Sequence, residues 1–270
     1  MDVTQALVLG VVQGLTEFLP VSSTAHLRLV PHLLGWPDPG AAVSAVIQLG
    51  TLVAVFVYFA GDVRRLIAAG LAGIWRRDLG YSSDSRMAWA ILVGTVPIAV
   101  LGLGFKRFIE TGARSLELIA WALILLAVLL LVAERVGRRT RGREGLGFWQ
   151  VQVIGLCQAL ALIPGCSRSG STIMGGLFLG LRREDAAYFS FLLGLPAVAA
   201  SGLLELRELL EGGLAGEGLV NLGVAVLAAA ISGYLSIGFL LRFLQRHGTH
   251  VFAVYRIVLG IGILLMIRGA

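Results

Sequence analysis

Two short strings hold most of the residues in this 270-residue chain that could do chemistry. The first runs Gln13-Gly-Leu-Thr-Glu17-Phe-Leu-Pro20-Val-Ser22-Ser23-Thr24-Ala-His26. Gln13 and Glu17 stand four apart, hence on one face of a helix, and the hydroxyls follow the proline that ends that helix. The second runs Pro164-Gly165-Cys166-Ser167-Arg168-Ser169-Gly170-Ser171-Thr172. Glycines that admit close backbone approach, hydroxyl donors, a guanidinium fork and the start of a following helix are what a phosphate group needs around it. Brought together, the strings would supply a carboxylate, a nucleophile, an imidazole and an anion clamp, a set suited to phosphoryl transfer. Glu17 with Gln13 could also hold a divalent cation, Mg2+ or Ca2+, bridging to substrate phosphate. The plainer reading of Arg168 is a structural pair with a buried carboxylate; a single Glu is often a cap partner and a single His often structural.

Both strings sit between apolar arms too short to cross a bilayer, which takes about 20 residues. The arms are 3–19 and about 22–35 around the first string, and 152–163 and 172–181 around the second. Each pair reads as a re-entrant hairpin with a polar tip at membrane depth, tolerated only where protein buries it or water reaches it. Ser22 to Thr24 offer an N-cap for the outgoing helix of the first hairpin. An intramembrane arginine such as Arg168 is by default a functional residue, because something anionic must offset its desolvation.

The remaining chain is the scaffold. Hydrophobic residues make up 57% and charged ones 14%, and apolar runs at 41–60, 87–105, 116–133, 186–204, 219–241 and 251–267 are each long enough to span. The expected fold is therefore an all-α polytopic membrane protein, a single integral domain over 1–270 with the lipid bilayer as its solvent. Landmarks recur at an offset of 144 or 145 residues: Gly10 and Gln13 with Gly155 and Gln158, Pro20 with Pro164, Leu34-Gly35 with Leu179-Gly180, Leu49-Gly50 with Leu193-Gly194. This predicts two repeats, about 1–140 and 148–270, each one hairpin plus three transmembrane helices. Three crossings are odd, so the second repeat lies inverted and the tips enter from opposite faces. Most arginines (Arg64, Arg65, Arg76, Arg77, Arg86, the 135–143 run, Arg182, Arg183, Arg242, Arg246) fall on one side; Lys106, Arg107, Arg114, Arg207 and Arg268 fall on the other. The positive-inside rule makes the first side cytoplasmic and puts both termini and the mouth of the first hairpin outside. The net charge of +6 is thus a topology signal and not a nucleic-acid footprint. No basic n-region precedes the first apolar stretch, so a cleaved signal peptide is not expected. Cys157 and Cys166 form no metal or redox pattern and read as packing residues.

The two strings closely resemble the signature regions of the bacitracin-resistance family, the bacterial undecaprenyl-diphosphate phosphatases, and the resemblance spans essentially the whole chain, including Val46-Ile-Gln-Leu-Gly50 and Ser190-Phe-Leu-Leu193. It implies a plasma-membrane enzyme that hydrolyses undecaprenyl diphosphate to the monophosphate and so recycles the lipid carrier for peptidoglycan. By the same resemblance Gln13 and Glu17 are tied to a divalent metal, Ser23 and His26 to catalysis, and Arg168 to phosphate. Many members carry Glu where this chain has Gln13, which leaves one carboxylate here. A homodimer is compatible with the sequence.

Three chemistries remain open: attack by Ser23 with Glu17 or His26 as base, attack by His26 through a phosphohistidine, and attack by metal-activated water. The rival function is a lipid-phosphate flippase or anion transporter, since inverted repeats with broken helices also build carriers; Ser23 beside His26 and Glu17 argues for hydrolysis, because a carrier needs no nucleophile. A passive channel would want a polar stripe along several spans. Arg28, near the outer mouth, could meet a diphosphate or lipid headgroups. Arg256 reads as an arginine that snorkels to the cytoplasmic surface, the 138–143 run as a solvated signal touching anionic lipid, and His247 and His250 as loop residues without a metal.

Overall fold

The computed structural model describes residues 1–105 and 115–269; Lys106, Arg107 and Arg114, three of the outer-side charges, lie outside the described residues. Helices make up most of the chain: α1 (Val3–Phe18), α2 (Ser23–Leu34), α3 (Gly40–Tyr58), α4 (Ala60–Trp75), α5 (Ser83–Gly104), α6 (Leu116–Val136), α7 (Phe148–Ala159), α8 (Arg168–Phe178), α9 (Arg183–Glu211), α10 (Glu217–Arg246) and α11 (His250–Gly269). Six of them, α3, α5, α6, α9, α10 and α11, are long and apolar enough to cross a membrane. They overlie the six expected spans. The protein is an all-α polytopic membrane protein.

The chain between Tyr58 and Ser83 holds an element the sequence reading did not anticipate. Phe59 breaks the helix, and α4 follows at once, its apolar positions interrupted by Asp62, Arg64 and Arg65. It is too polar and too short to span. Leu71 and Trp75 lie exposed on it, as suits a helix lying at an interface.

Helix ends follow local chemistry. Asp2 caps α1 and exchanges hydrogen bonds with Gln5 in a capping box, and Pro20 follows its end. Ser22 caps α2, and Ser167 caps α8. Both serines have positive φ, 74° and 66°, a conformation that costs an L-residue energy and that persists only where its surroundings fix it. At 16 residues α1 is about 24 Å long by the helical rise. It stops short of a bilayer's thickness, as do α2, α7 and α8.

Within a bilayer the drive for helix association is close packing and polar contact. Small residues supply the packing. α1 lies against α10, where a Cβ on Gly10 would overlap the carbonyl of Ala225, and α7 lies against α5, where a Cβ on Gly155 would overlap the carbonyl of Gly94. Exposed Leu125, Leu235 and Val258 turn to the lipid. A core of Phe18, Phe59, Phe191 and Leu193 lies among α1, α3 and α9, with Phe18 edge-on to Phe191 at 5.0 Å between centroids.

Charge at the α6–α7 connection is more ordered than a solvated signal would be. Glu134 is fully buried and accepts from Arg139 (2.8 Å), Arg183 (2.6 Å) and the backbone and hydroxyl of Thr249. Asp185 accepts from Arg143 and Arg182. The basic run is thereby fastened to α9 and to the α10–α11 turn. The reason is that its arginines meet two carboxylates which would otherwise be buried unpaired.

Candidate active site

The two hairpin tips meet. Thr24 Oγ1 accepts from the backbone N–H of Gly165 (3.3 Å), Ser169 Oγ donates to the carbonyl of Leu19 (3.1 Å), and Arg168 reaches Glu17. Residues 151 apart in sequence thus share one buried polar site.

Glu17 is its centre and only 4% exposed. Its Oε1 takes Nη2 (3.1 Å) and Nε (3.3 Å) of Arg168, while Oε2 takes the Ser23 hydroxyl (2.6 Å) and the Gln13 amide (2.7 Å). The structural reading of Arg168, a pair with a buried carboxylate, is thus present, and the carboxylate is Glu17 itself. Replacing a buried pair by apolar groups is often neutral or stabilising, so an ion pair at this depth is weak evidence for a role in stability. Arg168 Nη1 donates to the carbonyl of Ser190 (3.2 Å). A guanidinium has five N–H groups, and these bonds leave two for another acceptor. Gly194 makes room for it: a Cβ there would overlap Arg168 Nη1.

His26 is engaged at both nitrogens. Nδ1 lies 2.7 Å from the carbonyl of Ser22, which can only accept, so Nδ1 carries a proton; Nε2 lies 2.6 Å from the hydroxyl of Tyr255. The ring stacks on Tyr255 at 5.7 Å. Ser22 Oγ meets Thr24 Oγ1 (3.0 Å), and Ser167 Oγ accepts from Gly170 N–H and meets Ser169. Thr172 bonds back to Arg168 and across to Ser190, which braces α8 on α9. Ser171 Oγ is buried without a partner. Arg28 stands apart, paired with Asp38 at 3.4 Å in the α2–α3 connection.

Among the described residues no cluster of three His, Cys, Asp or Glu could hold a metal alone. The donor set does fit a cation that takes most of its ligands from a diphosphate, because Gln13 Oε1 is a buried acceptor with no hydrogen-bond partner beside the Glu17 carboxylate.

Beside Arg168 a narrow cleft between α3 and α9 is walled by Phe18, Leu52, Val55, Phe191 and Leu195. Residues 6–262 match the family model described as Bacitracin resistance protein BacA. The chain belongs to that family. It is 54% identical over 275 residues to an undecaprenyl-diphosphatase of Chloroherpeton thalassium, covering 99% of this chain and 97% of the relative. Proteins of the same name from Chlorobaculum tepidum and Myxococcus xanthus are 51% and 50% identical, over 99% of this chain and 98% and 90% of their own lengths.

Membership in the BacA family frames what the sequence reading missed. Tyr255, Ser190 and Gly194 reach the site from spans that look apolar; Gly194 marked the repeat and Ser190 the family resemblance, but neither signal pointed to the site, and a lone tyrosine in a span carries none. Arg256 did carry one. It does not snorkel: it is fully buried, and its guanidinium faces the tips. The carbonyls of the tips need donors, and no water at the surface would supply them at that depth.

Proposed function

We propose that this protein hydrolyses undecaprenyl diphosphate to undecaprenyl phosphate and inorganic phosphate in the bacterial plasma membrane, recycling the carrier for peptidoglycan synthesis and lowering sensitivity to bacitracin. The observation that carries the mechanism is the 2.6 Å hydrogen bond from Ser23 to Glu17. A serine hydroxyl is a weak nucleophile until a base takes its proton, and Glu17 is in place to do so. The two remaining N–H groups of Arg168 bind the terminal phosphate. Ser23 Oγ attacks its phosphorus, the bond to the bridging oxygen breaks, and the proton passes to Glu17. Water then attacks the phosphoserine and the proton returns to Oγ. His26 holds the backbone of Ser22 in register; a phosphohistidine route would first have to release Nε2 from Tyr255.

The hydroxyls of Ser22, Thr24, Ser167 and Ser169, with the backbone at Gly165 and Gly170, line the tips where diphosphate oxygens would lie. A divalent cation, Mg2+ or Ca2+, would be held by Glu17 and Gln13 and would neutralise part of the diphosphate charge. The repeat reading has support from the paired glycine contacts of α1 on α10 and α7 on α5 and from the matching positive-φ caps Ser22 and Ser167. It places both termini and the mouth of the first hairpin outside.

The test is phosphate release from undecaprenyl diphosphate by the purified protein. Turnover that falls with chelator is expected, along with loss of at least about a thousandfold in Ser23→Ala, since removing a nucleophile removes the step it starts. A trapped phosphoenzyme should be acid-stable and alkali-labile. An acid-labile adduct would point to His26, and substantial turnover by Ser23→Ala would end the serine mechanism.

A further inference from the structure

Among the described residues, the buried charges outside this scheme are the carboxylates Glu134 and Asp185, each held by arginines, and Arg256, which meets no carboxylate. Arg256, on α11, is fully buried, and every acceptor it meets is a main-chain carbonyl. Nη1 donates to Pro20 (3.1 Å) and Cys166 (3.3 Å), and Nη2 to Gly165 (2.9 Å), Cys166 (3.3 Å) and Ala122 (3.4 Å). Nε donates to Leu123 (3.2 Å). One side chain therefore grips the first tip, the second tip and the middle of α6. Desolvating a guanidinium is costly, and a structural pin between helices would need no charge.

The bonded carbonyls sit where the backbone is most constrained. Cys166 directly precedes Ser167 and Pro20 precedes Ser22 by two, and these serines are the positive-φ caps of α8 and α2. Such a conformation persists only where neighbours over-determine it. Because the peptide is planar and trans, turning the Cys166 carbonyl toward Arg256 turns the Ser167 N–H the opposite way. The residue after each cap is a reacting one, Ser23 in α2 and Arg168 in α8.

We propose that Arg256 is a positioning residue for the phosphatase reaction: by bonding carbonyls of both tips it sets the register between Ser23, on one hairpin, and Arg168, on the other. The inference rests on the function proposed above. It concerns turnover and not substrate capture, since Arg256 itself has no face toward the ligand. A misplacement of about 1 Å between reacting groups can cost on the order of 100-fold in rate.

The experiment compares Arg256→Lys and Arg256→Met with the parent in detergent, after size exclusion, using undecaprenyl diphosphate. For both variants kcat should fall on the order of 100-fold with KM within threefold. Lysine should not rescue, because one ammonium cannot span carbonyls on both tips. Should either variant fail to fold, Gly170→Ala tests the same contact: its Cβ would stand 3.1 Å from Arg256 Nη1 and 3.2 Å from Ser167 Cβ. It replaces glycine inside a helix, so its melting temperature should hold while kcat falls at least tenfold. Parent-like kcat in folded Arg256→Met, or in Gly170→Ala, would overturn the proposal, as would a loss confined to KM. A parent that releases no phosphate would overturn the functional reading, and the inference with it.

Discussion

Glu17 shows how one side chain can join two halves of a site. Its two oxygens serve different partners, since Oε2 receives the Ser23 hydroxyl and Oε1 holds the Arg168 fork. The fork can lie there only because position 194 has no side chain. Gly194→Ala is therefore expected to behave like a weakened Arg168. The methyl displaces the guanidinium, and phosphate turnover should fall on the order of 100-fold, as for a misplaced reacting group. Arg168→Lys should lose most of its activity as well, since a point charge cannot reproduce the planar pair of bonds. Both should still insert and melt near the parent. Measured phosphate release within threefold of the parent for Gly194→Ala would mean the guanidinium has another place to go.

At the scale of elements, the hairpins and the six spans were legible because their signals are long. A run of apolar residues sets a span, and a polar string between two half-length arms sets a tip. That Glu17 and Arg168 share a site was legible from the two strings brought together, but their direct pairing was not: it depends on the packing of α8 against α1 and α9, which no local pattern encodes. α4 was missed because Asp62, Arg64 and Arg65 break its hydrophobic run. Arg256 was misread because its distance from a helix end suggested snorkelling, whereas carbonyls of the tips decide its direction. The 138–143 run was misread for a similar reason, since its partners, Glu134 and Asp185, lie on α6 and α9. Glu134 makes the consequence measurable. Removing its charge leaves Arg139 and Arg183 facing a neutral amide at a buried position. Both arginines are partly exposed and can turn to water, so Glu134→Gln should cost about 1–3 kcal/mol, less than a fully buried pair. Scanning fluorimetry should show a melting point several degrees lower, with turnover of the folded protein within threefold of the parent. An unchanged melting point would show that the knot adds nothing to stability.

The whole molecule raises the question of which face the chemistry serves. Two hairpins whose tips bond each other through Thr24, Ser169 and Arg168 can enter from the same side or from opposite sides. The inverted repeat requires opposite sides. Charge favours it: Tyr188 to Asp62, Arg143 to Tyr188 and Asp185, and Thr249 to Glu134 tie α4, the α6–α7 connection, the start of α9 and the α10–α11 turn together, and the positive-inside rule would make that arginine-rich face cytoplasmic. On that orientation the connection after α2 and the turn between α9 and α10 lie outside. One span, α9, separates residue 140 from residue 215, and three, α3, α5 and α6, separate residue 37 from residue 140. Single cysteines at Pro37, Thr140 and Ala215, all at exposed positions, make the test in a background with Cys157 and Cys166 replaced. In intact cells an impermeant maleimide should label Pro37→Cys and Ala215→Cys and spare Thr140→Cys until the membrane is opened. Labelling of Thr140→Cys together with Ala215→Cys from outside would mean that the second hairpin crosses, and the inverted arrangement would fall. Protection of Pro37→Cys with labelling of Thr140→Cys would turn the whole molecule over and put the mouth of the first hairpin in the cytoplasm.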